Sequence, residues 1–154
     1  YVHMGGKIGV IIAIEAETAE AAAHAATKSF ADDTAMQIAA MNPVALRRED
    51  VDSEAVAKQR EIFEAQLRDD PSPKPEKVWP KILEGKINSW FGECVLLEQE
   101  SAQHRKKTID DLRKAAGKEA GAGLTIIGFI RFELGEGIER KSDDLLAGVA
   151  ELLG

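Results

Sequence analysis

Apolar residues run almost unbroken from Ile8 to Ile14, bounded by Gly5-Gly6 on one side and by acids on the other. This β-branched block predicts a buried strand. From about Ala21 to Met41 the chain is rich in alanine, with Phe30, Ile38 and Met41 marking an apolar side, and it predicts one long helix. Asn42-Pro43 closes that helix, because proline pushes the residue before it out of helical geometry. Ser53 stands where it can cap a helix running to about Arg68, with Val56, Phe63 and Leu67 spaced for one face. The stretch "DDPSPKPEK" then interrupts with three prolines, Pro71, Pro73 and Pro75. Another helix is expected from about Pro75 to Phe91, with Val78, Ile82, Ile87, Trp90 and Phe91 along one side. Two amphipathic helices joined by a rigid polar turn predict an antiparallel hairpin. Its stripe is narrow and its other faces are charged, so it suits an arm that projects from the body. Such an arm serves either a partner or plain structural extension.

The last third returns to a mixed pattern. Thr108 can cap a short helix through Ala116, ended by the glycines around Gly121. Residues 124–134 predict a strand in which Ile130, Phe132 and Leu134 alternate with Arg131 and Glu133, the period of a half-buried strand. That alternation places Phe132 in the core. The turn "GEGIE" follows, then a last helix carrying Leu145, Leu146, Val149, Leu152 and Leu153. Strands alternate with helices but are too few for a doubly wound sheet, so the fold class is α+β with a helical hairpin.

Length and charge narrow the function classes. The chain has 154 residues, 44% hydrophobic and 31% charged, which suits one folded domain. Its net charge of −7 argues against a surface built to neutralise phosphates, so no direct nucleic-acid partner is expected. Arg47-Arg48 and Arg105-Lys106-Lys107 are short and flanked by acids, and they read as solvated faces. Cys94 is the single cysteine, so no intrachain disulfide can form and a reducing compartment is expected. No apolar run approaches the roughly 20 residues that span a bilayer, and membrane insertion is not expected. A chain that begins at Tyr1 reads as a processed product or a piece of something longer.

Enzyme chemistry finds no constellation. His3, His24 and His104 are scattered and Cys94 has no partner for a metal site. The pieces "GAG" and "GEGIE" lack the lysine of a phosphate loop, and Gly135 and Gly137 read as turn glycines. Glu15 and Glu17, beside the end of the first strand, read as solvated carboxylates and not as an acid–base pair. No enzyme activity, cofactor or metal is expected.

Several segments, taken together, resemble the core domain of elongation factor Ts, the guanine-nucleotide exchange factor for elongation factor Tu. They are "YVHMGGKIGVII", "DDTAMQIAAMNP", "REDVDSEAVAKQREI", "KPEKVWPKILEGKINSWFGECVLLEQ" and "GFIRFELGEGIERK", in the family's order and approximate spacing. The resemblance implies a small antiparallel sheet packed against helices. It makes residues 1–154 one core domain, with the family's coiled-coil hairpin inserted at about 53–91. The family's N-terminal helical module has no counterpart in this sequence. The resemblance also implies elongation factor Tu as the partner, with a larger organellar complex or a second copy as further partners. Single-core relatives can pair, while two-part relatives have the equivalent contact built in.

The same resemblance singles out the turn after the first strand. Family members with the exchange motif here read Glu-Thr-Asp-Phe-Val, where this chain reads Glu17-Thr18-Ala19-Glu20-Ala21. The family's Phe wedges into an apolar pocket of the G domain and the Asp hydrogen-bonds beside it, so that GDP leaves faster. Glu20 cannot act as that wedge, because an ionised carboxylate in an apolar pocket costs several kcal/mol unless paired. Losing the ring forfeits roughly 1.5–3 kcal/mol of contact. The expected interface is Thr18, Ala19 and Glu20, together with His3 of the Tyr1-Val2-His3 entrance, which other family members use. Two functions follow: one repeat or fragment of a larger exchange factor, or an exchange-deficient module kept for binding or structure. A copy without its wedge is easiest to keep beside an intact one, as in plastid tandem copies. The chloroplast stroma is therefore the expected compartment, with bacterial cytoplasm and mitochondrial matrix next.

Overall fold

The computed structural model describes residues 1–72 and 74–136. The turn beyond Glu136 and the last expected helix lie outside the described residues. Two long antiparallel strands, β2 (Ile8–Ala16) and β3 (Leu124–Glu133), carry the fold, and the two-residue β1 (Val2–His3) adds to the other edge of β2. The strand order is β1-β2-β3.

One irregularity decides which side chains go inside. The register runs from Ile8 opposite Glu133 to Ala16 opposite Leu124, but Ala13 faces Gly128 while Ile14 faces Ile126. Ile127 is thus an extra residue on β3, a bulge that reverses side-chain parity along the rest of the strand. Leu124 and Ile126 point into the core before it, and Phe129 and Arg131 turn inward after it. Ile130, Phe132 and Leu134 are displaced to the outer face, and Phe132 is 57% exposed. The expectation that Phe132 lies in the core is therefore wrong. β2 is likewise half-buried, not buried: Val10 is inside, Ile8, Ile12 and Ile14 pack partly on the core, and Ile11 is 63% exposed.

Helices cover one face of this sheet. α2 (Ala25–Met41) packs on β2 and on α5 (Ile109–Ala120), and α5 packs on β3. Val10, Phe30, Ile38, Leu96, Ile109 and Ile126 form the heart of the buried cluster between them. The expected single helix over 21–41 is two. A short α1 (Ala19–Ala23) is separated from α2 by His24, whose ψ of 145° is extended. Met41 is exposed, so it does not mark the buried side. Asn42 ends α2 in the left-handed region (φ 46°), its N–H donating to the Ile38 carbonyl.

The hairpin is α3 (Ser53–Arg68) against α4 (Trp79–Cys94). Asp52, and not Ser53, caps α3, its side chain accepting from the Glu54 N–H. α4 starts after a 3₁₀ turn at Glu76–Val78 and reaches Cys94, so the helix starts later and ends later than expected. Leu67, Leu83 and Phe91 are its buried contacts, whereas Val78 is exposed. Lys86 crosses the seam to Gln66 (3.2 Å) and lies 5.1 Å from the centre of the Phe63 ring. α3 packs extensively on α4 alone, so the pair stands off the body. Its root is fastened by Arg48, which is not simply a solvated charge. The guanidinium forks onto Glu98, donates to Asn88 Oδ1 at 2.7 Å and lies 4.7 Å over the Phe91 ring.

α5 begins as expected at Thr108, in a reciprocal cap with Asp111 (3.1 and 3.0 Å), and ends at Gly121 (φ 78°), one turn beyond Ala116. The bonds from Thr108 hold the Asp111 carboxyl below the usual carboxylate range.

Candidate functional site

β2 leaves the sheet at Ala16, and residues 17–27 form a bonded elbow. Glu17 is pinned at both ends of its contact with the loop before β3. Its N–H donates to the Gly123 carbonyl at 3.1 Å, and its Oε2 accepts from the Gly123 N–H at 2.9 Å. A Cβ on Gly123 would stand 2.6 Å from Glu17 Oε1, so the carboxylate would have to swing aside for any larger residue there. Glu17 is thus an exposed carboxylate, as expected, that also brackets the elbow to the loop before β3. Gly123→Ala is expected to displace the Glu17 carboxylate into water and to lower stability by under about 1 kcal/mol, because the bond it breaks is exposed. A chemical denaturation midpoint checks it.

Thr18 follows in extended geometry and caps α1, its Oγ1 accepting from the Ala21 N–H at 3.1 Å. Ala21 is buried, and its carbonyl is held from the next helix by Thr27 Oγ1 at 2.6 Å and by the His24 N–H at 3.2 Å. His24 then starts α2, with its Nδ1 accepting from the Ala26 N–H at 3.2 Å. Between these anchors Ala19 and Glu20 occupy the first turn of α1, both exposed. The elbow thus presents a fixed tip carrying one methyl and one carboxylate.

His3 is not part of that tip. It pairs with Ile8 at the opposite end of β2, so about 3.3 Å per residue separates it from the elbow by roughly 30 Å. Its ring stacks on Tyr1 (centroids 5.7 Å apart), with Nδ1 and the Tyr1 hydroxyl 2.8 Å apart. The four expected contact residues therefore fall into two separate patches. Sequence reasoning missed a third feature, the bare outer face of the sheet. Val2, Ile11, Ile130, Phe132 and Leu134 lie exposed there around Gly9 and Gly128. The alternation that could have revealed it was visible, but the bulge inverts its sense.

Enzymatic equipment does not gather around the elbow. A shallow cavity of about 330 Å³ between α2 and α5 holds Ser29, Asp33, His104 and Glu119 against alanines, with His104 Nε2 3.5 Å from Asp33. Among the described residues, no group of three His, Cys, Asp or Glu side chains is placed to hold a metal. Among them, too, no helix is long and apolar enough to cross a membrane. Burial pushes the Cys94 thiol up, away from reactivity.

This strand–elbow–helix unit with its hairpin arm has known counterparts. The family model described as Elongation factor TS matches residues 1–136. The chain belongs to the elongation factor Ts family. It is 43% identical over 150 residues to the elongation factor Ts of Bdellovibrio bacteriovorus, covering 97% of this chain and 48% of that protein. To the elongation factor Ts of Carboxydothermus hydrogenoformans it is again 43% identical, covering 68% of the relative. The Geotalea daltonii protein of the same name is 37% identical over the whole chain, which covers 70% of it. The chain thus spans between about half and about two-thirds of the length of these elongation factor Ts relatives.

Proposed function

We propose that this chain is a core unit of an elongation factor Ts that docks on elongation factor Tu and, alone, contributes little to guanine-nucleotide release. One observation carries the reading. The elbow keeps the anchors at Glu17, Thr18 and Ala21, while its exposed tip carries Ala19 and Glu20 where the family motif has Asp and Phe. Exchange requires a factor that binds the nucleotide-free state better than the GDP-bound state, and by linkage the two preferences are equal in size. A tip without an apolar wedge offers little to tell these states apart. Docking then rests on what remains of the surface, with His3 and Thr18 as its proposed contacts.

The bare sheet face supports a second core beside this one, either in a longer chain or as a second copy. The plastid stroma is the compartment proposed, on the argument that a wedge-less copy persists most easily beside an intact one.

Calorimetric binding to elongation factor Tu tests the docking. The chain is expected to bind both the nucleotide-free and GDP-bound forms, with affinities less than about tenfold apart. Binding to neither form would contradict the docking, and a much larger preference would contradict the loss of exchange.

A further inference from the structure

We infer that Arg48 is a positioning residue that braces a pivot at Gly92, and so fixes the direction in which the α3–α4 arm leaves the body. Hydrogen bonds from the body grip α4 at its last residues. Gln99 Nε2 donates to the Glu93 carbonyl at 2.8 Å, the Val44 N–H donates to the Cys94 carbonyl at 2.9 Å, and Val95 just beyond is fully buried. Gly92 is the next residue outward along the arm. A Cβ there would meet nothing within 4 Å, and its φ lies outside the left-handed range, so neither packing nor backbone geometry demands a glycine. Inside a helix, glycine is the residue that leaves the backbone most free.

Beyond that glycine the link is Arg48. Among the described residues, its bond to Asn88 Oδ1 (2.7 Å) is the one side-chain hydrogen bond that joins the body to α4 on the arm side of Gly92. The same guanidinium lies 4.7 Å over the ring of Phe91, one residue outward of the glycine. Its other contact is the fork onto Glu98, in the 3₁₀ turn Leu96–Glu98 that follows α4. One side chain therefore holds both sides of the pivot. Arg48 is itself tied down by its neighbours: the Leu96 and Leu97 N–H groups donate to the Ala45 and Leu46 carbonyls at 2.9 and 3.3 Å, and Leu46 is buried. A planar guanidinium with five donors suits the task, because it serves two acceptors at once while lying flat over a ring. The Arg48 side chain is 43% exposed, so water screens the pair and its share of folding stability is small. Direction is another matter. The 16 residues of α3 rise about 24 Å, so a tilt of roughly 10° at the root moves the tip by about 4 Å. A braced arm meets a partner already ordered, and that ordering is not charged against binding.

Pulsed dipolar spectroscopy between two spin labels reads the arm's direction. Lys28→Cys on α2 and Arg68→Cys at the end of α3 carry the labels, both at exposed positions, in the full chain with Cys94→Ala. The braced chain is expected to give one narrow distance distribution. Arg48→Met keeps an aliphatic stem and removes the fork, and it is expected to broaden that distribution about twofold with little change in denaturation midpoint. Gly92→Ala added to Arg48→Met is expected to recover most of the narrow width, because a Cβ fits there and stiffens the turn. Asn88→Ala leaves the Glu98 pair intact and is expected to broaden the distribution as well. It carries the test, again with and without Gly92→Ala, if Arg48→Met does not fold. A width unchanged by the loss of the fork or of Asn88 overturns the brace. A broad width that Gly92→Ala fails to narrow overturns the pivot, and a distribution already broad in the natural chain overturns both.

Discussion

Ile126→Ala is expected to lower the unfolding free energy by about 2–5 kcal/mol, while Phe132→Ala in the same strand costs under about 1 kcal/mol. Ile126 is 1% exposed and sits in the cluster with Ile38, Leu96 and Ile109, where a truncated side chain leaves a cavity the neighbours cannot fill. Phe132 lies beyond the bulge, opposite Gly9 on the outer face, where truncation removes little that was shielded from water. The check is a denaturation curve at a concentration low enough for the monomer, with the midpoint shifted and the slope unchanged for Ile126→Ala. Similar losses at both positions would mean that the bulge does not invert the strand. The outer face then gives a separate readout. Phe132→Glu is expected to weaken self-association in sedimentation without a matching loss of monomer stability, because it buries no charge until a second core arrives. Self-association untouched by Phe132→Glu would remove the face from that role.

What the sequence disclosed depended on how local each signal is. Asn42-Pro43, Thr108 and Gly121 mark their boundaries within a few residues, because caps and breakers act on their own backbone. The hairpin was legible for the same reason, with prolines on its turn and apolar residues at helical spacing. The bulge at Ile127 was not. Nothing in "LTIIGFIRFE" distinguishes ten paired residues from nine paired and one extra, and the difference exchanges the two faces of the strand. The break at His24 was hidden by alanines, whose helix propensity runs straight through it. The break is stabilised by the Thr27 and His24 bonds, which only the folded joint reveals. Glu17 shows the limit at the site itself. Its neighbours pointed to the turn through the family motif, yet its own role depends on a glycine 106 residues away.

The largest functional effect is expected at the elbow's tip. Its anchors come from Glu17, Thr18, Thr27 and His24, and none comes from Ala19 or Glu20, so the tip can be changed without dismantling the frame. Ala19→Asp with Glu20→Phe returns an acceptor and an apolar ring to two exposed positions. If the ring recovers roughly 1.5–3 kcal/mol of contact made only with the nucleotide-free state, release should quicken by about ten- to a hundredfold. Denaturation of the double variant separates this gain from any change in folding, and little change in midpoint is expected.

The most direct test is therefore the release of a fluorescent GDP from elongation factor Tu, with the natural chain and with this double variant side by side. A nearly inert natural chain and a strongly accelerating variant are the predicted result, and they identify a preserved docking frame that lacks its wedge. A natural chain that already accelerates release as strongly as the variant would contradict the account, and exchange would then work through a contact other than the tip of the elbow.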